Sequence, residues 1–135
     1  MKIAKYVFEV TTFQPEMWHE RHVFKDLSQA VAALSSLPSE NAVIYVEALG
    51  KSVDYGDFYL FLNCEGVAHV MLAEHQEVYA VDPSRQGKMG EIEFLDEAGS
   101  AFSVDAALTT SAARGKAALA HWLPFQAHWP QFIWQ

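Results

Sequence analysis

The chain of 135 residues has one cysteine. Cys64 alone excludes an internal disulfide and every zinc pattern that needs several cysteines. Proline and glycine are few, five and seven, and nowhere gather into a linker or low-complexity tract. No apolar run approaches the ~20 residues that span a bilayer. The opening Met1-Lys2-Ile3-Ala4-Lys5-Tyr6 has neither a long apolar core nor a small-residue cleavage site, so no signal peptide is expected. Bases are scarce as well, nine Lys and Arg against seventeen Asp and Glu, a net charge of −8. What is present is a 51% hydrophobic, 19% charged composition, enough for a core without staples. A single cytoplasmic domain over residues 1–135 is the expectation.

The missing bases are missing mainly from the middle. Residues 40–105 hold thirteen acids and three bases, a balance of −10. Such a segment repels phosphate backbones and anionic lipid, so neither nucleic acid nor a membrane surface is an expected partner. It attracts a basic protein surface and speeds the encounter. The plainer alternative is that the acids keep a small domain soluble.

Hydrophobic spacing predicts α+β. Residues 3–13 read as a strand with Tyr6, Phe8 and Val10 on one face. Residues 14–25, with Pro15 and mixed polar and aromatic groups, read as a loop. Asp26 caps a helix of about ten residues carrying Leu27, Ala30, Val31 and Leu34. Val43–Ala48 is nearly all apolar, the pattern of a central strand covered on both faces. Phe58–Leu62 and Val67–Leu72 form a hairpin around Asn63-Cys64-Glu65-Gly66. Glu77–Val81 is a short strand. Gly90–Leu95 alternates and has one wet face, with Ala101–Val104 pairing back across Asp96-Glu97-Ala98-Gly99. Thr110 or Ser111 caps a last helix with Gly115, Ala118, Leu119, Trp122 and Leu123 on one stripe, and Pro124 stops it. Short turns between strands imply an antiparallel sheet, with both helices packed on one face. The end, from Trp122 to Gln135, holds three of the four tryptophans. An end this aromatic should dock on the core, with Trp122, Ile133 and Trp134 holding it to the sheet.

Chemistry-bearing motifs are thin. His19-Glu20-Arg21-His22 sets two histidines three apart, which would share a helix face, but no third ligand follows and no zincin motif is completed. His69, between Ala68 and Val70, reads as a sheet histidine. Cys64 neighbours Glu65, which works against a thiolate. No nucleophile elbow and no P-loop occur; Gly87-Lys88-Met89-Gly90 lacks the spacing. Glu91 and Glu93 are either an acid–base pair or the wet face of a strand. Asp54-Tyr55-Gly56-Asp57 reads as a turn placing an aromatic between acids, a mixture that interfaces favour. Trp18 is either an interface anchor or a lid over the core.

Pro130-Gln131-Phe132-Ile133-Trp134, after an alanine-rich capped helix and a short turn, resembles the C-terminal signature of immunity protein family one, the antidotes of bacterial polymorphic toxin systems. The layout of residues 25–135 is similar too: an early helix, a strand like Val43–Glu47, a hairpin with a turn near Gly66, a segment like Val78–Asp82 and a strand starting at Gly90. Ala127 stands where the family has glycine, and it would be strained if that turn needs a positive φ. The resemblance implies a non-enzymatic inhibitor without catalytic residues, metal or cofactor. Such a protein binds a cognate toxin domain with a basic surface, often a nucleic-acid deaminase, and occludes its active site. The acids and aromatic expected at that interface are Glu47, Asp54, Tyr55, Asp57, Glu65, Glu74, Glu77 and Asp82. Two other classes stay open: a small α+β enzyme or ligand-binding domain with a pocket near His19, His22 and His69, and a scaffold whose exposed aromatics pair with a second copy.

Overall fold

Alternating apolar positions in β1 (Lys5–Thr12) and β3 (Ala42–Leu49) set the architecture. In β1, Tyr6, Phe8 and Val10 are buried on one side; in β3, Ala42, Ile44, Val46 and Ala48 are buried on the same side. A strand presents successive side chains to opposite faces, so one hydrocarbon face follows directly. The structure, a computed structural model, describes residues 3–73 and 76–135. Between and after these strands come β2 (Trp18–Phe24), α1 (Leu27–Ala33), β4 (Asp54–Leu62), β5 (Val67–Ala73), β6 (Glu77–Val81), β7 (Glu91–Leu95), β8 (Ala101–Asp105), β9 (Thr110–Ser111), α2 (Ala112–Phe125) and β10 (Ile133–Trp134). The main sheet runs β10-β6-β5-β4-β3-β1-β2, with β9 on β5, and every pairing is antiparallel. The fold is α+β, as the spacing predicted.

Both helices lie on the hydrocarbon face. Asp26 caps α1 by accepting from the Gln29 N–H at 2.9 Å, and Ser111 caps α2 by accepting from Arg114 N–H at 3.2 Å. The stripe Gly115, Ala118, Leu119, Trp122 and Leu123 is the buried face of α2. Lys116 Nζ donates to the Leu37 carbonyl at 3.0 Å and to Ser39 at 2.8 Å, tying α2 to the chain beyond α1. The Tyr6 hydroxyl donates to the Leu123 carbonyl at 3.0 Å, one of the acceptors a helix end leaves unpaired.

The opposite face is covered unevenly. β7 and β8 form a separate two-stranded sheet, whose Phe94 packs with Val43 and Phe61 in a second small core. Phe102 meets Phe61 edge-on at 5.0 Å between centroids. Double coverage of the central strand therefore holds only at Val43. Tyr45 and Glu47, farther along β3, stay half-buried.

Four local expectations are corrected. Residues 14–25 are not all loop, because β2 occupies Trp18–Phe24. As an edge strand it is exposed along nearly its whole length, so it carries no burial alternation to read. Asp54–Asp57 is the start of β4 rather than a turn; the pairing is irregular there, with a register shift between Glu47 and Leu49, and Gly56, at φ 129, is the turn-like residue this irregular stretch uses. Pro124 does not stop α2. It removes one N–H whose partner carbonyl would be on exposed Ala120, and the helix closes at Gln126 in the left-handed region. Ala127 lies outside that region, so it carries no such strain.

The aromatic end docks on the core, with a change of residues. Phe132 is the buried side chain and Trp134 is half-buried, whereas Ile133 is 44% exposed. The Arg114 guanidinium lies 5.1 Å from the Trp129 ring centre and 5.4 Å from that of Phe132, a cation–π seat. Trp122 is 1% exposed. Trp122→Ala should cost about 3–5 kcal/mol in urea denaturation. Trp134→Ala should cost less than half as much, and equal losses would show that the tail is packed as deeply as the helix.

Candidate functional site

The register of β3 against β4 puts Glu47 directly opposite Asp57. The shift just beyond them brings in Asp54, so that one carboxylate oxygen from each of Glu47, Asp54 and Asp57 lies within 4.8 Å of the others. Gly56 N–H donates to Asp54 Oδ1 at 2.8 Å and orients it. Like charges this close repel, and cross-strand pairs of one sign are unfavourable. Asp57 Oδ1 is buried and, among the described residues, has no hydrogen-bond partner. Burial first, then the Asp54 charge, pushes the Asp57 carboxyl from 3.8 up to about 6, against the Tyr45 hydrogen bond that favours its charge. Three such oxygens could hold a hard divalent cation, and a partner's arginine or lysine would neutralise them equally well.

Two tyrosines continue the site along the same face. Glu9, Tyr45 and Tyr59 are in register across β1, β3 and β4. The rings of Tyr45 and Tyr59 are 4.6 Å apart at 39°. Burial, and then the charges of Asp57 and Glu47, hold the Tyr45 phenol well above its usual value. Burial and then Asp57 and Glu97 do the same for Tyr59. Both phenols are therefore neutral hydrogen-bonding groups at physiological pH.

The expected interface residues divide into separate places. Glu47, Asp54 and Asp57 come together, and Tyr55 lines a cavity of about 430 Å³ with Asp54, Asp57, Trp122 and Gln126. Glu65 is exposed in the β4–β5 turn, beyond the strand end at Leu62, which is itself roughly 17 Å from Asp57. Glu77 is exposed at the start of β6 and accepts from the Tyr79 hydroxyl at 3.2 Å. Glu74 lies outside the described residues. Asp82 is a correction: it is 2% exposed. Its carboxylate accepts from Thr110 at 2.6 Å, from Ser84 at 2.8 Å and from Arg114 Nε at 3.0 Å. Burial alone would raise its pKa, but these hydrogen bonds and the guanidinium outweigh it and hold it below the usual range. It braces the turn at Pro83–Arg85, β9 and α2 and has no face for a partner.

The histidines do not share a pocket. His19 and His22 are three apart on a strand, so they point to opposite faces. His19 contacts Glu9 at 3.5 Å and His22 contacts Glu20 at 3.2 Å. His69 is buried, with Nδ1 2.9 Å from the Leu108 carbonyl, which accepts only, so Nδ1 carries the proton. Burial lowers its pKa and keeps it neutral. The three line three separate cavities. Trp18 is 60% exposed at the rim of an edge groove and does not cover the core. Glu91 and Glu93 are exposed on β7, its wet side.

Glu9, Tyr45, Tyr59 and Glu97 escaped the sequence reading. The Tyr45-x-Glu47 alternation was the available signal for Tyr45. Comparison with protein-family models, curated proteins and solved structures finds no match to this chain.

The folded chain keeps a proton on Asp57 between pH 4 and pH 6 that the unfolded chain has released, so this group's contribution to stability falls as pH rises through that window. Asp57→Asn should therefore stabilise the fold at pH 8 by about 1–2 kcal/mol and change little at pH 4. Thermal melts at both values check this, and a loss at pH 8 would contradict it.

Proposed function

We propose that this protein is an immunity protein: a non-enzymatic, cytoplasmic inhibitor that binds a cognate bacterial toxin domain and occludes its active site. The observation that carries the reading is the convergence of Glu47, Asp54 and Asp57 on one open sheet face beside Tyr45 and Tyr59. Carboxylates flanking half-buried aromatics form a surface that recognises basic protein faces and repels phosphate and anionic lipid. The resemblance of the Pro130–Trp134 end to immunity protein family one supports the class and points to a nucleic-acid-targeting toxin, such as a deaminase, whose substrate groove is basic. The interface is centred on Glu47, Asp54 and Asp57, with Tyr55, which packs against the helix-side core, and Glu65 and Glu77 at most at its edge. No helix among the described residues is long and apolar enough to cross a membrane.

Co-expression with the toxin encoded by the neighbouring gene should restore growth, and death at the usual rate would sink the inhibitor reading. Asp54→Lys with Asp57→Lys should weaken toxin binding by at least about tenfold and flatten its dependence on salt. Unchanged affinity and salt slope would place the interface elsewhere.

A further inference from the structure

Next to the carboxylate group, on the same face, a cavity of about 220 Å³ opens against β2 and the β7–β8 turn. Glu9, Thr11, His19, Tyr45, Tyr59 and Glu97 form its walls, with Val43 also lining it. We infer that this cavity binds the guanidinium of one arginine side chain presented by a protein partner. The inference deepens the inhibitor reading and rests on its view of the face as a partner surface.

Size, chemistry and orientation agree. The volume is below the roughly 300–1,000 Å³ of small-molecule sites and suits a single side chain. Tyr45 and Tyr59, in contact with each other, both line the cavity, and a planar guanidinium packs on tyrosine better than an ammonium. Glu9 and Glu97 supply carboxylates that a guanidinium can meet through two parallel N–H donors. Asp57 and Glu47, in the next row, add negative field without entering the cavity. His19 is already placed: Thr11 Oγ1 lies 2.8 Å from its Nδ1, and its Nε2 lies 3.5 Å from Glu9. Arg21 stands across β1–β2 from Glu9 and is not part of the cavity's lining.

A capped probe tests this without the toxin. N-acetyl-arginine amide is titrated into the protein labelled at tyrosine, and the Tyr45 and Tyr59 ring resonances are followed by NMR. Saturable shifts of both rings are expected, with binding at least about threefold weaker for N-acetyl-lysine amide. Glu97→Gln and Tyr59→Leu should each weaken arginine binding by about two- to fivefold. Glu97 is exposed, so its variant tests the site even if Tyr59→Leu unfolds. No saturable shift, equal response to lysine, or unchanged binding in Glu97→Gln would overturn the inference. Tighter binding of free arginine than of the capped form would also overturn it, by pointing to a small-molecule ligand. Inhibition is read separately, by growth in co-expression, so a failed titration leaves that reading intact and a failed rescue leaves the cavity's chemistry intact.

Discussion

Glu47 and Asp57 stand directly opposite one another on adjacent strands, and the rest of the fold keeps them there. A like-charge pair in register costs stability and would relax if the strands could slip. They cannot, because a slip of one residue would turn Val46 and Phe58 out of the helix-covered core and the carboxylates into it. The helix face sets this lock. At Gly115 of α2 an added Cβ would meet Leu60 Cδ1 at 2.7 Å and Ala68 Cβ at 3.2 Å, so glycine lets the helix lie close on β4 and β5. Trp122 then packs against Phe58 at 5.6 Å between centroids. Tight hydrocarbon packing on one side of the sheet thus fixes an electrostatic conflict on the other.

The two faces divide the work. Helices cover most of the first and leave a groove along β1 and β2, whereas the β7–β8 hairpin covers the second around Val43, Phe61 and His69. Beyond the hairpin the sheet stays open, and there the acids and tyrosines gather. Asp57 Oδ1, buried and without a hydrogen-bond partner among the described residues, and the upward pull on the Asp57 carboxyl record the cost. Under the proposed function a partner's positive charge removes that cost on docking, so part of the binding energy is already present in the free protein as unrelieved repulsion.

Features written locally were legible from sequence. Asp26 and Ser111 as caps, the Asn63–Gly66 turn and the α2 stripe each depend on residues a few positions apart. Features set by sheet order were not. β2 shows no alternation because neither face of an edge strand is well buried. Glu9 lies outside the acidic middle of the chain, and only the pairing of β1 with β3 brings it to Tyr45. Glu97 arrives from a hairpin turn 38 positions beyond Tyr59. Asp82 erred in the other direction: it counted as a surface acid because its partners, Thr110 and Arg114, lie some thirty residues away. Acidity was readable, but exposure and convergence required the register.

Carboxylate footprinting in the presence of the cognate toxin addresses the central claim most directly. Carbodiimide coupling of glycine ethyl ester, read by mass spectrometry, labels accessible acids in the free protein and in the complex. Glu47, Asp54, Glu9 and Glu97 should lose labelling on complex formation, while Glu91 and Glu93 on the wet side of β7 keep theirs. Full labelling of the first group in a saturated complex would contradict the assignment of this sheet face to the partner.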